Sequence, residues 1–274
     1  MTSVAVLLTD ALREAARRKV FWGLYGLSTA MVFFFLFLLR IDLVEGARAT
    51  VSLLSESNAR TVPVARLVRN FYSAVATFLY TYSMALAVFA SAGLMTAVFE
   101  RGRIEWLLSK PVARWRILLA RLAGSLLVVA FNICYLVLAV WLILGWKSGI
   151  WDPAFLVTIP ATVFMFGVLL SAVTFVAVLS ESTALATMVT FALMLASPVL
   201  AQHRLMIKLL NSEFWRDLWR GLYYTLPKVY DVGRMNVDLI RDRAVENWMP
   251  VWSSALFAAV LLAASFYALS KRNF

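Results

Sequence analysis

The 274-residue sequence is short of most residue types that carry chemistry in water. It has one cysteine, Cys134, inside an apolar run, which excludes an intrachain disulfide and leaves the redox compartment open. It has one histidine, His203, which excludes a multi-histidine metal site; at the end of an apolar run this side chain reads as interfacial. Charged residues make up only 15%, and Asp plus Glu number 15 against 26 Lys plus Arg. Gly-x-x-x-x-Gly-Lys-Ser/Thr does not occur, so the chain cannot cradle a nucleotide in a P-loop of its own. His-Glu-x-x-His, Cys-x-x-Cys and Gly-x-Ser-x-Gly are absent too. An intramembrane enzyme needs no such portable signature, so that class stays open.

What the sequence has is apolar length. Hydrophobic residues are 62% of the chain and aromatics 14%, a composition for a membrane-embedded protein rather than a globular one. The net charge of +11 comes from basic residues that flank apolar runs, where anionic headgroups lie, and no basic patch interleaved with aromatics suggests nucleic acid. Before the first run, Val4, Leu7, Leu8, Leu12 and Ala15 recur at helical spacing opposite Asp10, Arg13, Glu14, Arg17 and Arg18, which predicts an interfacial amphipathic helix. The first run opens at Val20, exceeds a signal-peptide core and lacks a small-residue cleavage site, so it is expected to be retained.

Six spans are expected, at about 20–39, 71–99, 117–146, 153–180, 182–202 and 248–270, in a single all-α transmembrane domain. The fourth and fifth follow from length. Pro153 to Gln202 is fifty residues with a single charge, Glu181, and one helix of that length would measure ~75 Å against a hydrocarbon core of ~30 Å. The chain must reverse, and Ser180-Glu181-Ser182 supplies the turn and its caps. Asn132, the one amide of the third run, is expected to bond to a neighbouring helix. Segments 40–70 and 203–247 are expected outside, the former a modest loop with some interfacial helix and the latter with interfacial helices whose aromatic side meets lipid. Of the 26 Lys and Arg, twelve fall inside on this topology and fourteen outside, but the inner ones cluster at membrane ends, which places both termini in the cytoplasm.

Between the second and third runs lies a polar island, Glu100 to Arg116, with five basic residues and two acids. Ile104, Leu107 and Leu108 sit at helical spacing beside Trp106, and Pro111 ends any helix begun near Gly102. A short amphipathic helix along the interface follows, in a segment far longer than a turn between spans needs. Glu100 and Glu105 are five apart, off the same-face spacing, and lie among arginines, so acid/base work by that pair is not expected.

Glu100-x-Gly102-x-x-Glu105-x-Leu107-Leu108-Ser109-x-Pro111-Val112-x-Arg114 resembles the first cytoplasmic segment of ABC-2-type transporter permeases, with Ala113 where a hydroxyl residue is usual. Tyr223-Tyr224-Thr225-Leu226-Pro227-Lys228 is similar to that family's Tyr-x-Leu-Pro-Asn element, with Lys228 in place of Asn, and the end Ser270 to Phe274 resembles its basic-then-Phe terminus. The resemblance implies a multi-pass subunit of the cell (inner) membrane, paired with a second permease copy, identical or paralogous. Separate ABC ATPase subunits would carry the ATP and Mg, with no cofactor in this chain. It implies that the island is the coupling helix, with Ile104, Leu107 and Leu108 as its docking face. Glu100, Glu105 and Arg114 would make polar contacts, Gly102 and Pro111 would set the helix ends, and Glu181 would be a second contact. It further implies that the second and fifth spans line the substrate pathway, which points to Tyr80, Ser83, Met84, Thr187 and Met194, although those side chains equally suit helix packing. Small-molecule or lipid export and mechanical work on an extracytoplasmic partner protein are both compatible with it. The alternatives are a membrane-embedded enzyme acting on a lipid or prenyl substrate, with the island at its headgroup, and a membrane scaffold.

Overall fold

The computed structural model describes residues 19–38, 64–96, 114–202 and 212–271, and among these there is no strand. The N-terminal amphipathic segment, the island up to Ala113 and the C-terminal Arg272 to Phe274 lie outside the described residues. The helices are α1 (Lys19–Leu38), α2 (Val64–Thr96), α3 (Arg114–Ser148), α4 (Thr158–Ser180), α5 (Thr183–Ala201), α6 (Glu213–Thr225), α7 (Val229–Ile240) and α8 (Met249–Lys271). Among the described residues, five stretches are long and apolar enough to cross a membrane: Val68–Thr96, Trp115–Ser148, Pro153–Ser180, Thr183–Ala201 and Met249–Lys271. The apolar part of α1, Phe21–Phe37, is shorter than these. The chain is a polytopic helical membrane protein.

Two helices outrun the apolar stretches that define them. α2 is 33 residues long and begins at Val64, within a segment read from sequence as an outer loop, and α3 is 35 residues long and keeps Lys147 in its last turn. The reason is cooperative: once a helix is nucleated, each added residue gains one backbone bond for one residue ordered, so charge alone does not end it. What ends α3 is Gly149, in the left-handed region at φ +69°. Asp152 then accepts a bond from Ala154 N at 3.0 Å and caps a short 3₁₀ turn, Pro153–Val157, with proline at its start. Between α4 and α5 the break is just Glu181 and Ser182. Glu181 takes a left-handed conformation at φ 54°, and Ser182 Oγ caps α5 by accepting from Leu185 N at 3.4 Å.

The helices alternate in direction. Tyr82 of α2 donates to the Leu27 carbonyl of α1 while Phe78 meets Phe35, so these two helices run antiparallel. Tyr72, early in α2, bonds Ser148 at the end of α3 at 3.0 Å. Thr96, last in α2, bonds Thr183, first in α5. One end of the bundle therefore gathers Lys19, Thr96, Arg114, Ser180 and Thr183, with Lys271 at the far end of α8, and α7 lies toward the opposite end.

At the centre stands α4, which packs against α2, α3, α5 and α8. Met165, Phe166, Leu169, Leu170 and Val173 lie on one side of it and Val168, Ser171 and Ala172 on the other, and all are buried, as expected of a helix that is covered all round. Polar groups cross-link the outer helices. Ser28 donates to Asn132 Oδ1 at 3.0 Å and Thr29 pairs with Tyr135 at 3.1 Å, so the lone amide of α3 does bond to a neighbouring helix. Replacing Asn132 by Leu is expected to cost about 1 kcal/mol, the scale of an interhelical side-chain bond in a membrane protein. The double variant Ser28→Ala/Asn132→Leu should recover part of that loss in detergent melting, because it leaves no orphaned hydroxyl.

Candidate functional site

Two places in the bundle bring together residues that sequence reasoning singles out. The first is the end that carries the island. Thr96 Oγ1 gives its proton to the Ala92 carbonyl at 3.0 Å, so in the Thr96–Thr183 pair the proton comes from Thr183. That pair ties the last described residue before the island to the first residue of α5, two positions after the exposed Glu181. Arg114, where the chain returns from the island, is the first residue of α3. Glu100, Gly102, Ile104, Glu105, Leu107, Leu108 and Pro111 lie outside the described residues.

The second place is built around Lys228. This lysine is only 2% exposed, and its backbone N–H donates to Ser254 Oγ at 3.0 Å while its Nζ donates to Ser253 Oγ at 2.8 Å. The ammonium lies 4.7 Å from the centroid of the Tyr223 ring and 5.8 Å from that of Tyr224. Tyr223 in turn donates to Asp231 Oδ2 at 3.1 Å. Burial lowers the pKa of Lys228 from its ordinary value, and the Asp231 carboxylate works against that. Lys228 thus holds the ends of α6 and α7 onto the second turn of α8.

With its start held there, α7 packs inward. Tyr230 N donates to Ser197 Oγ of α5 at 2.9 Å, Asn236 Nδ2 donates to Thr158 Oγ1 of α4 at 3.2 Å, and Arg241 Nε donates to Ser73 Oγ of α2 at 3.2 Å. Tyr80 of α2 donates to the Val229 carbonyl at 2.7 Å. Its ring lies against Gly233, where an added Cβ would come within 2.8 Å of Tyr80 Cε1. The sequence reading put aromatic interfacial helices across 203–247. α6 keeps that exposed character, with Phe214, Trp215 and Leu218 uncovered, whereas α7 is a wall of the core with Val229, Val232, Asn236 and Ile240 buried. Val229, Val232 and Ile240 do stand near helical spacing, a signal short enough to be hidden by Asp231, Arg234 and Asp238 between them.

Where α2, α5 and α7 meet they leave a half-open groove of about 310 Å³. Thr77, Tyr80 and Thr81 form one side, Met194, Leu195 and Pro198 the second, and α7 from Val229 to Val237 the floor. Its surface is almost entirely apolar. The Thr77 and Thr81 hydroxyls are given to the carbonyls of Ser73 and Thr77 in their own helix, and the Tyr80 hydroxyl is taken by Val229. Pro198 has no N–H for the Met194 carbonyl, which leaves one backbone acceptor on the groove wall without its usual helical donor. The one charged residue in the lining is Arg234, which is exposed.

Of the five side chains named for a pathway, the groove gathers Tyr80 and Met194. Ser83 and Met84 are buried between helices and do not reach it, and the Thr187 hydroxyl turns back to the Thr183 carbonyl at 2.7 Å. Sequence reasoning missed the rest of the lining, including Val229, Gly233 and Arg234 of α7. Among the described residues, no three His, Cys, Asp or Glu side chains gather as metal ligands would. No protein-family model matches the chain, and neither does any curated protein. Gly233→Val should push the Tyr80 ring away and break its bond to Val229, with an expected loss of about 1–3 kcal/mol as in other overpacked sites. Thermal unfolding of the purified chain, with Tyr80→Phe as the comparison that removes only the bond, checks this.

Proposed function

We propose that the chain is the transmembrane subunit of an ABC-2-type transporter, working with separate ATPase subunits and a second permease copy. On this reading it has six spans with both termini in the cytoplasm of a cell-membrane complex. The observation that supports the reading is the Glu100-to-Arg114 motif, together with the shared end of the bundle at which α2 stops and α3 starts. The pairing of Thr96 with Thr183 brings the end of α2, four residues before Glu100, close to the Glu181 turn, which supports a single partner surface that touches both the island and the turn.

In this mechanism the ATPase subunits close on ATP and press on Ile104, Leu107 and Leu108, with Glu100, Glu105 and Arg114 orienting the contact and Gly102 and Pro111 bounding the helix. α2 ends at Thr96 and α3 begins at Arg114, on either side of the island, and each is a single uninterrupted helix of more than 30 residues, 33 and 35. Such helices transmit a push as rigid levers, because a packed bundle responds by rotation or sliding rather than by compression. α2 then carries the displacement to Tyr80, on the wall of the groove. From Thr96 to Tyr80 is about 24 Å along the helix at ~1.5 Å per residue. A substrate on the groove side would be exposed to one face of the membrane or the other as α2 moves against α5 and α7.

The test is to purify the tagged full chain from its native host in mild detergent and assay the complex for ATP hydrolysis. A co-purifying Walker-type ATPase is expected. Leu108→Asp should remove it, because a carboxylate in an apolar docking face loses several kcal/mol of contact and desolvation, while the helical content of the chain stays unchanged. A preparation that retains other membrane complexes yet yields no ATPase would sink the proposal.

A further inference from the structure

The groove between α2, α5 and α7 has a composition that selects its occupant. Apolar walls meet a single cation, and the Thr77, Tyr80 and Thr81 hydroxyls are committed to protein partners. Arg234 has no ion pair among the described residues. Asp231, three positions before it, accepts from Tyr223, and Asp238, four after it, is paired with Arg243 at 3.6 Å. A guanidinium on the lip of an apolar groove binds anionic oxygens in a planar, two-pronged contact. The volume of about 310 Å³ is at the lower end for ligand sites, ~300–1,000 Å³, which suits one hydrocarbon chain rather than two.

We propose that this groove binds a long-chain monocarboxylate, with the chain along Thr77, Thr81, Leu195 and Val237 and the carboxylate on Arg234. One guanidinium neutralises one carboxylate. A phosphate monoester, which approaches two negative charges at neutral pH, would keep an excess charge beside apolar walls. Uncharged amphiphiles would leave Arg234 without an anion. As a binding site the groove stands without the permease reading; as a cargo site it rests on that reading.

The experiment uses the full-length chain in detergent with a photoreactive palmitate as the probe. Cross-linked peptides are expected from α2, α5 and α7, displaced by palmitate but not by hexadecanol at the same concentration. Arg234→Gln should raise the half-saturating concentration at least about tenfold, the scale of one charge-assisted hydrogen bond, and Arg234→Lys should restore part of it. Leu195→Trp, which fills the groove from an exposed wall position, should abolish labelling while leaving melting unchanged. Equal competition by hexadecanol, labelling confined to other helices, or unaltered affinity in Arg234→Gln would each overturn the proposal. Quantitative disulfide cross-linking of Thr81→Cys between two chains, in a Cys134→Ala background, would mean that a second copy fills the groove and would overturn it as well. A chain that binds palmitate through Arg234 but captures no ATPase defeats the permease reading and not this site. Capture of the ATPase without Arg234-dependent labelling does the reverse.

Discussion

Hydrocarbon has no hydrogen-bonding groups, so a segment inside a bilayer must satisfy its own backbone, and that constraint governs the whole of this structure. It makes helices of the apolar runs and forbids open strand edges. It also makes every break in a helix a local problem to be solved with side chains. At Glu181–Ser182 two residues suffice, because a left-handed residue ends one helix and a serine caps the next. At Gly149–Asp152 a glycine and a capping aspartate do the same. Trp151 closes over Gly145 there, at a place where any larger residue would collide with its ring.

Within that frame, shape and polar contacts decide which helices touch. Apolar surface alone discriminates poorly among neighbours in lipid, since tails and leucines are alike. Contact here is selected by small residues and by hydroxyl and amide pairs such as Ser28 with Asn132, Tyr72 with Ser148 and Thr96 with Thr183. Lys228 is the extreme case. A charged group buried near the membrane is tolerated because two aromatic faces, a serine hydroxyl and a nearby carboxylate replace its water. By holding α7 in place it creates a groove wall with a single outward cation, the feature that gives the molecule a chemically selective surface.

The same logic explains how much could be read beforehand. Helical class, membrane residence and the reversal at Glu181 follow from run lengths and one charge, because a bilayer imposes its thickness on any sequence. The partnership of Asn132 was legible because an amide in hydrocarbon must find a bond. The extension of α2 back to Val64 was hidden, since charges near a membrane edge carry no stop signal for a helix already under way. α7 was hidden for a different reason. It is 12 residues long with charges on its outer face, and from sequence it resembles the interfacial helix α6 that precedes it.

The sequence by itself determined that the chain is an all-helical membrane protein with a basic, helically patterned island between two apolar runs, because composition and periodicity act locally and the bilayer supplies the rest. Only the tertiary structure decided that Tyr80 and Met194 share a groove while Ser83, Met84 and Thr187 do not, and that Gly233 and Arg234 belong to it. Those facts depend on which faces of α2, α5 and α7 meet. That in turn depends on contacts between residues far apart in the chain, such as Tyr80 with Val229, 149 positions away, and Arg241 with Ser73, 168 away, which no local pattern encodes.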